Sequence, residues 1–183
     1  MQLRKMIVAA LFAALMAISS QFYIPLPGSV PHTLQVFFAV LAGIILGKKW
    51  SAVSITIWLL LGCFGLPVFT QGKSGFAALI GPTGGFLVAF ILQATLCGYI
   101  PQCKNQLVSI FVGLASLIAV YAVGLIGFVL SFTYFLNKSM SFSVAFGVAV
   151  LPFIPFDAVK VVAGTILGRK IYSALKKAGL SLD

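Results

Sequence analysis

Long stretches without any charged side chain are the feature that most limits how this sequence can fold. From residue 105 to residue 137 there is no acid and no base, and the same holds from 74 to 103. A helix needs about 20 apolar residues to cross the roughly 30 Å hydrocarbon core of a bilayer. A mean hydropathy of +1.16 with 8% charged residues is incompatible with a water-soluble domain. We therefore predict an all-α integral membrane protein with a single membrane domain over residues 1–183.

Apolar runs alternate with turn-rich segments, and this alternation predicts a bundle of six transmembrane helices. The segment 65–85 holds eight glycine and proline residues, which disfavour a helix. Irregular backbone near membrane depth is tolerated only where protein or a cavity surrounds it, so we expect this segment to fold back over a cavity on the outer side. The predicted spans are approximately 6–23, 32–46, 50–64, 86–100, 107–130 and 153–172.

The positions of the basic residues predict how the chain is oriented in the bilayer. If the spans alternate in direction, nine of the 12 Lys and Arg residues lie at one end of the bundle, two at the other and one inside a span. Cytoplasmic connections are enriched in Lys and Arg, so both termini are predicted to be cytoplasmic. The net charge of +10 follows from this bias. We therefore predict that the surface of the protein contacts the lipid bilayer and that the protein does not bind nucleic acid.

Asp157 and Lys160 stand out within the last predicted span. Asp157 is the only acid apart from the terminal Asp183, and Lys160 follows it by three residues in an apolar stretch. Side chains three apart share a face of a helix, and a charge inside a membrane usually faces a partner or a polar cavity. Two interpretations are open: the charges neutralise one another, or they form a ligand site that accepts N–H groups and attracts an anion.

Further candidate ligand contacts lie toward the same outer end of the bundle. Thr33 and Gln35, at the start of the second span, either line a cavity or cap a helix. Thr83 and Gly84 belong to a glycine-rich turn into the fourth span, where backbone N–H groups can reach a ligand. Phe76, in the preceding loop, is a candidate apolar wall.

Nothing in the sequence forms a recognisable catalytic or metal-binding set. Cys63, Cys97 and Cys103 lack the spacing of a metal site. The turn Gly81-Pro-Thr-Gly-Gly-Phe86 lacks the Gly-Lys-Ser/Thr ending of a nucleotide-binding loop. We therefore predict no enzyme activity, no metal and no cofactor. Any energy for transport must come from an ion gradient or from another subunit.

Small residues recur at a spacing of four in the first span. Such patterns let helices approach closely in membranes. One interpretation is a docking face for another membrane subunit, and the other is ordinary packing within the bundle. The residues concerned are Ala9, Ala13 and Ala17 on one line of the helix, and Ala10 and Ala14 on the next.

Four segments, in this order, resemble the BioY family. Members of that family are the biotin-specific S components, the substrate-binding subunits, of energy-coupling factor (ECF) vitamin transporters. The resemblance covers nearly the whole chain. The segments are Pro25-Leu-Pro27 with Thr33-Leu-Gln35, Gly62 with Gly65-Leu-Pro67-Val-Phe69, Gly81-Pro-Thr-Gly-Gly-Phe86, and Pro152-Phe-Ile-Pro-Phe-Asp-Ala-Val-Lys160.

The resemblance implies a function and partners. It implies a biotin pocket that includes Asp157 and Lys160. By their chemistry, Asp157 is expected to accept from the ureido N–H groups and Lys160 to pair with the carboxylate, and the reverse or water-mediated contacts stay open. Gln71 and Lys73 are candidates for a further polar contact from the loop. The alanine face of the first span would meet a transmembrane coupling subunit that carries two ATPase subunits in the cell membrane. Biotin enters as the transported ligand, not as a cofactor.

Two positions depart from the family pattern. Phe156 stands where the family usually has Gly, and His32 stands where an apolar residue is expected.

Three other functions remain open. They are an S component for a different vitamin, a stand-alone ion-coupled carrier, and a structural membrane subunit without a ligand.

Overall fold

Helices make up nearly all of the fold. The computed structural model describes residues 2–24, 30–180 and 182, so the Pro25-Leu-Pro27 segment and Asp183 lie outside the described residues. One two-stranded antiparallel pair, β1 (Tyr23–Ile24) with β2 (His32–Thr33), joins the first two helices. The helices are α1 (Gln2–Gln21), α2 (Gln35–Cys63), α3 (Phe76–Ile80), α4 (Gly84–Cys97), α5 (Gln106–Tyr134), α6 (Phe142–Ala149) and α7 (Ile154–Lys177).

Helix α2 is a hairpin of two helical arms. A straight helix of its 29 residues would be about 43 Å long. Instead Pro31, just before it, and Phe69, just after it, line the same cavity. The chain reverses at Gly47, whose φ of 71° is in the left-handed region that favours glycine. The arms, 35–46 and 48–63, correspond to the second and third predicted spans.

Each of the six predicted spans corresponds to one helical segment of the bundle. By length and composition, four helices are able to cross a membrane: α1, α2, α5 and the stretch Gly84–Gln102, which extends α4. Helices α6 and α7, bent by 56° at the break between them, give a fifth if they count as one span. The prediction of an all-α membrane bundle is therefore confirmed.

The loop between α2 and α4 folds back onto the bundle, as predicted from its glycine and proline content. Its Phe69 is fully buried and packs edge-on against Trp58 at 5.4 Å between ring centroids. The backbone oxygen of Val68 accepts hydrogen bonds from Trp58 Nε1 (3.0 Å) and Ser20 Oγ (2.8 Å). The loop therefore closes one end of the bundle over the space between the helices.

Both ends of the chain lie at the same end of the bundle. Leu182, beyond α7, is buried against Ala9 and Phe12 of α1. An even number of helical segments that alternate in direction produces this arrangement. The cations at the start of α1 and in the last turns of α7 are thereby brought to one end, opposite the closing loop.

Candidate ligand-binding site

An ion pair begins the last helix. Pro155 lies in the first turn of α7, where its missing N–H costs no hydrogen bond. Asp157 follows in the same turn, near the positive end of the helix dipole. Lys160 Nζ lies 3.0 Å from Asp157 Oδ1, and the two side chains are only 13% and 7% exposed. The pair is therefore largely removed from solvent.

Tyr121 of α5 completes the coordination of the carboxylate. Its hydroxyl donates to Asp157 Oδ2 at 2.9 Å, so each carboxylate oxygen has one partner. Sequence reasoning missed this residue. The available signal was a tyrosine in the middle of an uncharged span, because a buried tyrosine hydroxyl usually finds a hydrogen-bond partner.

Thr33 and Gln35 join the cluster from the other side. Lys160 Nζ also donates to the backbone oxygen of Thr33. The Thr33 hydroxyl donates to Gln35 Oε1 at 2.9 Å and accepts from the Gln35 backbone N–H at the start of α2. Gln35 lines the cavity, and its buried Nε2 has no partner among the described residues. Thr33 and Gln35 thus help to begin the helix and also line the cavity.

The cluster borders a narrow, mainly apolar cavity. Its volume is about 60 Å³, below the roughly 300–1,000 Å³ of small-molecule sites. A drug-sized ligand therefore requires the walls to move apart. Thr70 and Thr83 contribute to the wall from the loop between α2 and α4. The lining includes Val30, Pro31, His32, Val36, Phe86, Leu87, Phe90, Val120, Ala149 and Phe153 besides Gln35, Thr33, Tyr121 and Asp157.

A second small cavity continues the first toward the loop. The two share Pro31, Thr70, Thr83 and Leu87 in their walls, and Lys73 lines only the second. Lys73 and Asp157 therefore line different cavities that share part of their walls.

The two departures from the family pattern contact each other. The His32 ring lies 5.1 Å from that of Phe156, edge-on, and 5.6 Å from that of Phe153. Burial lowers the pKa of His32, and the positive charge of Lys160 lowers it further, partly opposed by Asp157. His32, which lines the cavity, thus packs against the exposed ring of Phe156.

Five predicted contacts do not line the main cavity. Lys160 lines a separate open cavity beside Phe22 and Tyr23, Lys73 lines only the second cavity, and Gln71, Phe76 and Gly84 line none of these three. Gln71 is exposed, with a φ of 66°, and Phe76 is 66% exposed. Gly84 begins α4 so close to the preceding turn that a Cβ there would lie 1.7 Å from the Leu79 backbone oxygen. Its role in this structure is the close approach of two backbone segments.

The alanines of α1 divide into two groups. Ala9 and Ala13 are buried inside the bundle, where the Ala9 backbone oxygen accepts from Ser54 Oγ at 2.7 Å. Ala17 is half-buried. Ordinary packing accounts for these three. Ala10 and Ala14 are exposed and remain available to a partner.

The fold and the site define a multi-pass helical membrane protein with a buried ion pair beside an apolar cavity. The BioY family model matches residues 1–177, and the chain belongs to this family. A "Biotin transporter BioY" of Thermotoga maritima is 39% identical, with 92% of this chain and 96% of that protein covered. A "Probable biotin transporter BioY" of Pyrococcus horikoshii is 35% identical, with 93% and 98% covered.

A solved structure has the same fold. It is described as the crystal structure of "the S-component for biotin from an ECF-type ABC transporter". The TM-score is 0.81 at 27% sequence identity, with 93% of this chain and 91% of that chain covered. The likeness extends over the whole bundle, including the helix that carries the ion pair.

Proposed function

We propose that this chain is the substrate-binding S component of an ECF-type transporter and that it captures biotin at the outer end of the bundle. The observation that carries the proposal is the buried cluster of Asp157, Lys160 and Tyr121 at the edge of an apolar cavity. A cavity with apolar walls and a few convergent polar groups suits a ligand with an apolar body and few polar atoms. The names of its relatives support the same ligand. The chain acts in transport and is not an enzyme.

Asp157 and Lys160 are assigned to the same end of the ligand. Because their polar atoms are 3.0 Å apart, both can touch one small group. A ureido group presents N–H donors beside a carbonyl oxygen, whereas the carboxylate of biotin lies at the far end of its side chain. Asp157 accepts from the ureido N–H groups, and Lys160 donates to the ureido oxygen. This differs from the sequence-based expectation, which paired Lys160 with the carboxylate.

The cluster has hydrogen-bonding capacity left for the ligand. A carboxylate offers about four acceptor positions and an ammonium three donors. Asp157 and Lys160 each make two of these bonds within the protein. Gln35 adds the unused Nε2 donor. The protein bonds hold the two charged groups in place while their remaining positions bind the ligand.

Lys73 is assigned to the carboxylate of biotin. It lines the second cavity, which shares part of its wall with the cavity that Asp157 lines, and it belongs to the loop that closes the bundle. Thr70 and Thr83 lie in the walls of both cavities. Contact between Lys73 and the carboxylate therefore couples ligand binding to closure of the loop.

Transport is proposed to follow the orientation given by the basic residues. Both termini lie at the end rich in Lys and Arg, which is the cytoplasmic end of a protein in the cell membrane. The ligand site lies at the opposite, outer end. A transmembrane coupling subunit with two ATPase subunits powers uptake, and the exposed Ala10 and Ala14 of α1 give it a surface for close helix approach.

The decisive experiment removes the ion pair as a unit. In the double variant Asp157→Leu, Lys160→Leu no charge is left unpaired, so the folded state should keep its thermal stability. Equilibrium binding of radiolabelled biotin to the purified full chain should nevertheless be lost. Retained binding would mean that the two charges only neutralise each other.

Competition and uptake distinguish the other functions. Unlabelled biotin should displace the label, whereas thiamine and riboflavin should not. Displacement by another vitamin at lower concentration would make this an S component for that vitamin. Uptake into vesicles that lack any ATPase, abolished by an uncoupler, would instead identify an ion-coupled carrier. If none of the three vitamins shifted the thermal unfolding temperature, the chain would instead be a structural subunit without a ligand.

A further inference from the structure

A basic groove lies between the start of α5 and the last turns of α7, at the end of the bundle opposite the ion pair. It has a volume of about 580 Å³ and is open to the outside. Its α7 residues recur every three or four positions and so form one face of the helix. The residues that line it include Gln106, Ile166, Arg169, Lys170, Ser173 and Lys177.

The groove carries three cations without a counter-charge from the described part of the chain. The only acid there is Asp157, which is already paired with Lys160. Asp157 also precedes Arg169 by twelve residues on the same helix, a distance of about 18 Å. No acid among the described residues can therefore serve as the partner of this groove, and an external anion is able to bind its cations.

Arg169 is held in a fixed orientation at the groove. Its Nη1 donates to the Asn105 backbone oxygen at 3.1 Å and to Ser109 Oγ. A guanidinium has five N–H donors, so others remain for an external acceptor. Gln106, the first residue of α5, has a buried Nε2 without a hydrogen-bond partner among the described residues. The groove thus combines the fixed guanidinium of Arg169 and the neutral amide of Gln106 with the charges of two lysines.

Apolar side chains continue from the groove onto the membrane-facing surface. Ile166 forms part of the groove itself. Leu107 and Phe111, in the first turns of α5, are 62% and 70% exposed. Cations in the last turns of α7, with exposed apolar side chains on the neighbouring helix α5, match a molecule that has both an anionic head and hydrocarbon chains. An acidic protein surface would match only the cations.

We propose that this groove binds the phosphate headgroup of an anionic phospholipid. Arg169 and Gln106 bind the phosphate oxygens, Lys170 and Lys177 add attraction at the rim, and the acyl chains lie along the apolar surface of α5. Basic pockets between transmembrane helices bind lipid headgroups of this kind. The proposed site is separate from the proposed biotin site and does not depend on it.

The test is native mass spectrometry of the purified full chain in detergent with added phosphatidylglycerol or phosphatidylcholine. Phosphatidylglycerol should be retained in preference. The variant Lys170→Gln, Lys177→Gln should weaken its retention by roughly fivefold per lysine, the size of one basic residue's attraction to an anionic membrane surface. The matched control Lys5→Gln, Lys49→Gln removes two charges from the same end but outside the groove and should have little effect.

Further variants and competitors test whether the groove binds the lipid by more than its net charge, and whether another molecule occupies it. Gln106→Leu leaves the net charge unchanged and should still weaken phosphatidylglycerol retention. Biotin affinity should be the same in all these variants, which shows that they fold. Equal loss in the control, equal retention of both lipids, or displacement of the lipid by the same concentration of inorganic phosphate would overturn the proposal. So would unchanged lipid retention with lost binding of a partner subunit, which would assign the groove to a protein.

Discussion

The two ends of α7 hold their charged side chains in opposite environments. At the first turn, Asp157 and Lys160 are buried, paired with each other and bonded to Tyr121 and Thr33. At the last turns, the cations of the groove are open to solvent and have no acid beside them. The difference follows from desolvation, because a buried charge is costly unless it is paired and hydrogen-bonded, while an exposed one is not.

This contrast shows which of the two ends is built for selectivity. In the closed site each polar atom has an assigned position, so removal of one atom leaves another unpaired. In the open groove each cation remains hydrated when a neighbour is lost. Substitutions should therefore have large and specific effects at the first turn of α7 and small, roughly additive effects at its last turns.

The largest expected effect is that of Asp157→Asn. The amide replaces one of the two acceptor oxygens by an N–H donor and leaves the buried ammonium of Lys160 without its counter-charge. Affinity for biotin should fall by about 150-fold, near the upper end of the roughly 1–3 kcal/mol cost of an unsatisfied buried group. Isothermal titration calorimetry measures it. Lys177→Gln, at the other end of the helix, is the matched change of one charge and should leave affinity unaltered.

The next effect in size is that of Tyr121→Phe. This variant keeps the ring and removes only the hydroxyl that donates to Asp157 Oδ2 at 2.9 Å. A hydrogen bond to a charged group contributes about 1.5–3 kcal/mol, of which a solvent or ligand donor can recover part, so we expect a loss of biotin affinity of about tenfold. The same calorimetry applies. Tyr134→Phe, at the exposed end of α5, is the control, and an equal loss there would contradict the assigned role.

Lys73→Gln should have a smaller effect that depends on the ligand. Lys73 is exposed in the loop, and exposed ion pairs contribute about 0.2–1 kcal/mol, so biotin affinity should fall by about two- to fivefold. Biotinamide, which lacks the carboxylate, should bind the variant and the natural chain equally well. Lys160→Ala should weaken both ligands. If Lys160→Ala spared biotinamide instead, Lys160 and not Lys73 would hold the carboxylate.

The smallest expected effect is a pH dependence from His32. Its pKa is lowered by burial and by the charge of Lys160, so the folded state favours the neutral imidazole. The contribution to stability is present above the ordinary pKa of about 6.5 and is lost as the pH falls through the lower folded value. Thermal unfolding of the purified chain should therefore occur at lower temperature below pH 6. His32→Phe should flatten this dependence, and an unchanged slope would show that another group causes it.

Sequence reasoning was most reliable where the signal is local. Hydropathy placed the helical segments, glycine at position 47 coincided with the reversal, and helical spacing put Asp157 and Lys160 on one face. It was least reliable where two distant segments meet. It could not decide between a docking face and ordinary packing for the five alanines of α1, and the bundle buries Ala9 and Ala13.

The two departures from the family pattern illustrate the same limit. In the sequence, His32 and Phe156 are 124 positions apart and are two unrelated anomalies. In the fold, their rings lie 5.1 Å apart and form one contact. No periodicity or composition connects residues so far apart, since their proximity depends on how β2 meets the start of α7.

The sequence by itself determined that this protein lies in a membrane, that it is helical, and that one acid and one lysine share a buried helix face. These follow from the transfer cost of charges and from helical periodicity, which act on neighbouring residues. Only the tertiary structure decided that Tyr121 bonds to Asp157, that Lys160 reaches Thr33 across 127 positions, and that Lys73 lines a second cavity beside the first. Those contacts join residues that are distant in the sequence, so they depend on how whole helices pack against each other in the bundle.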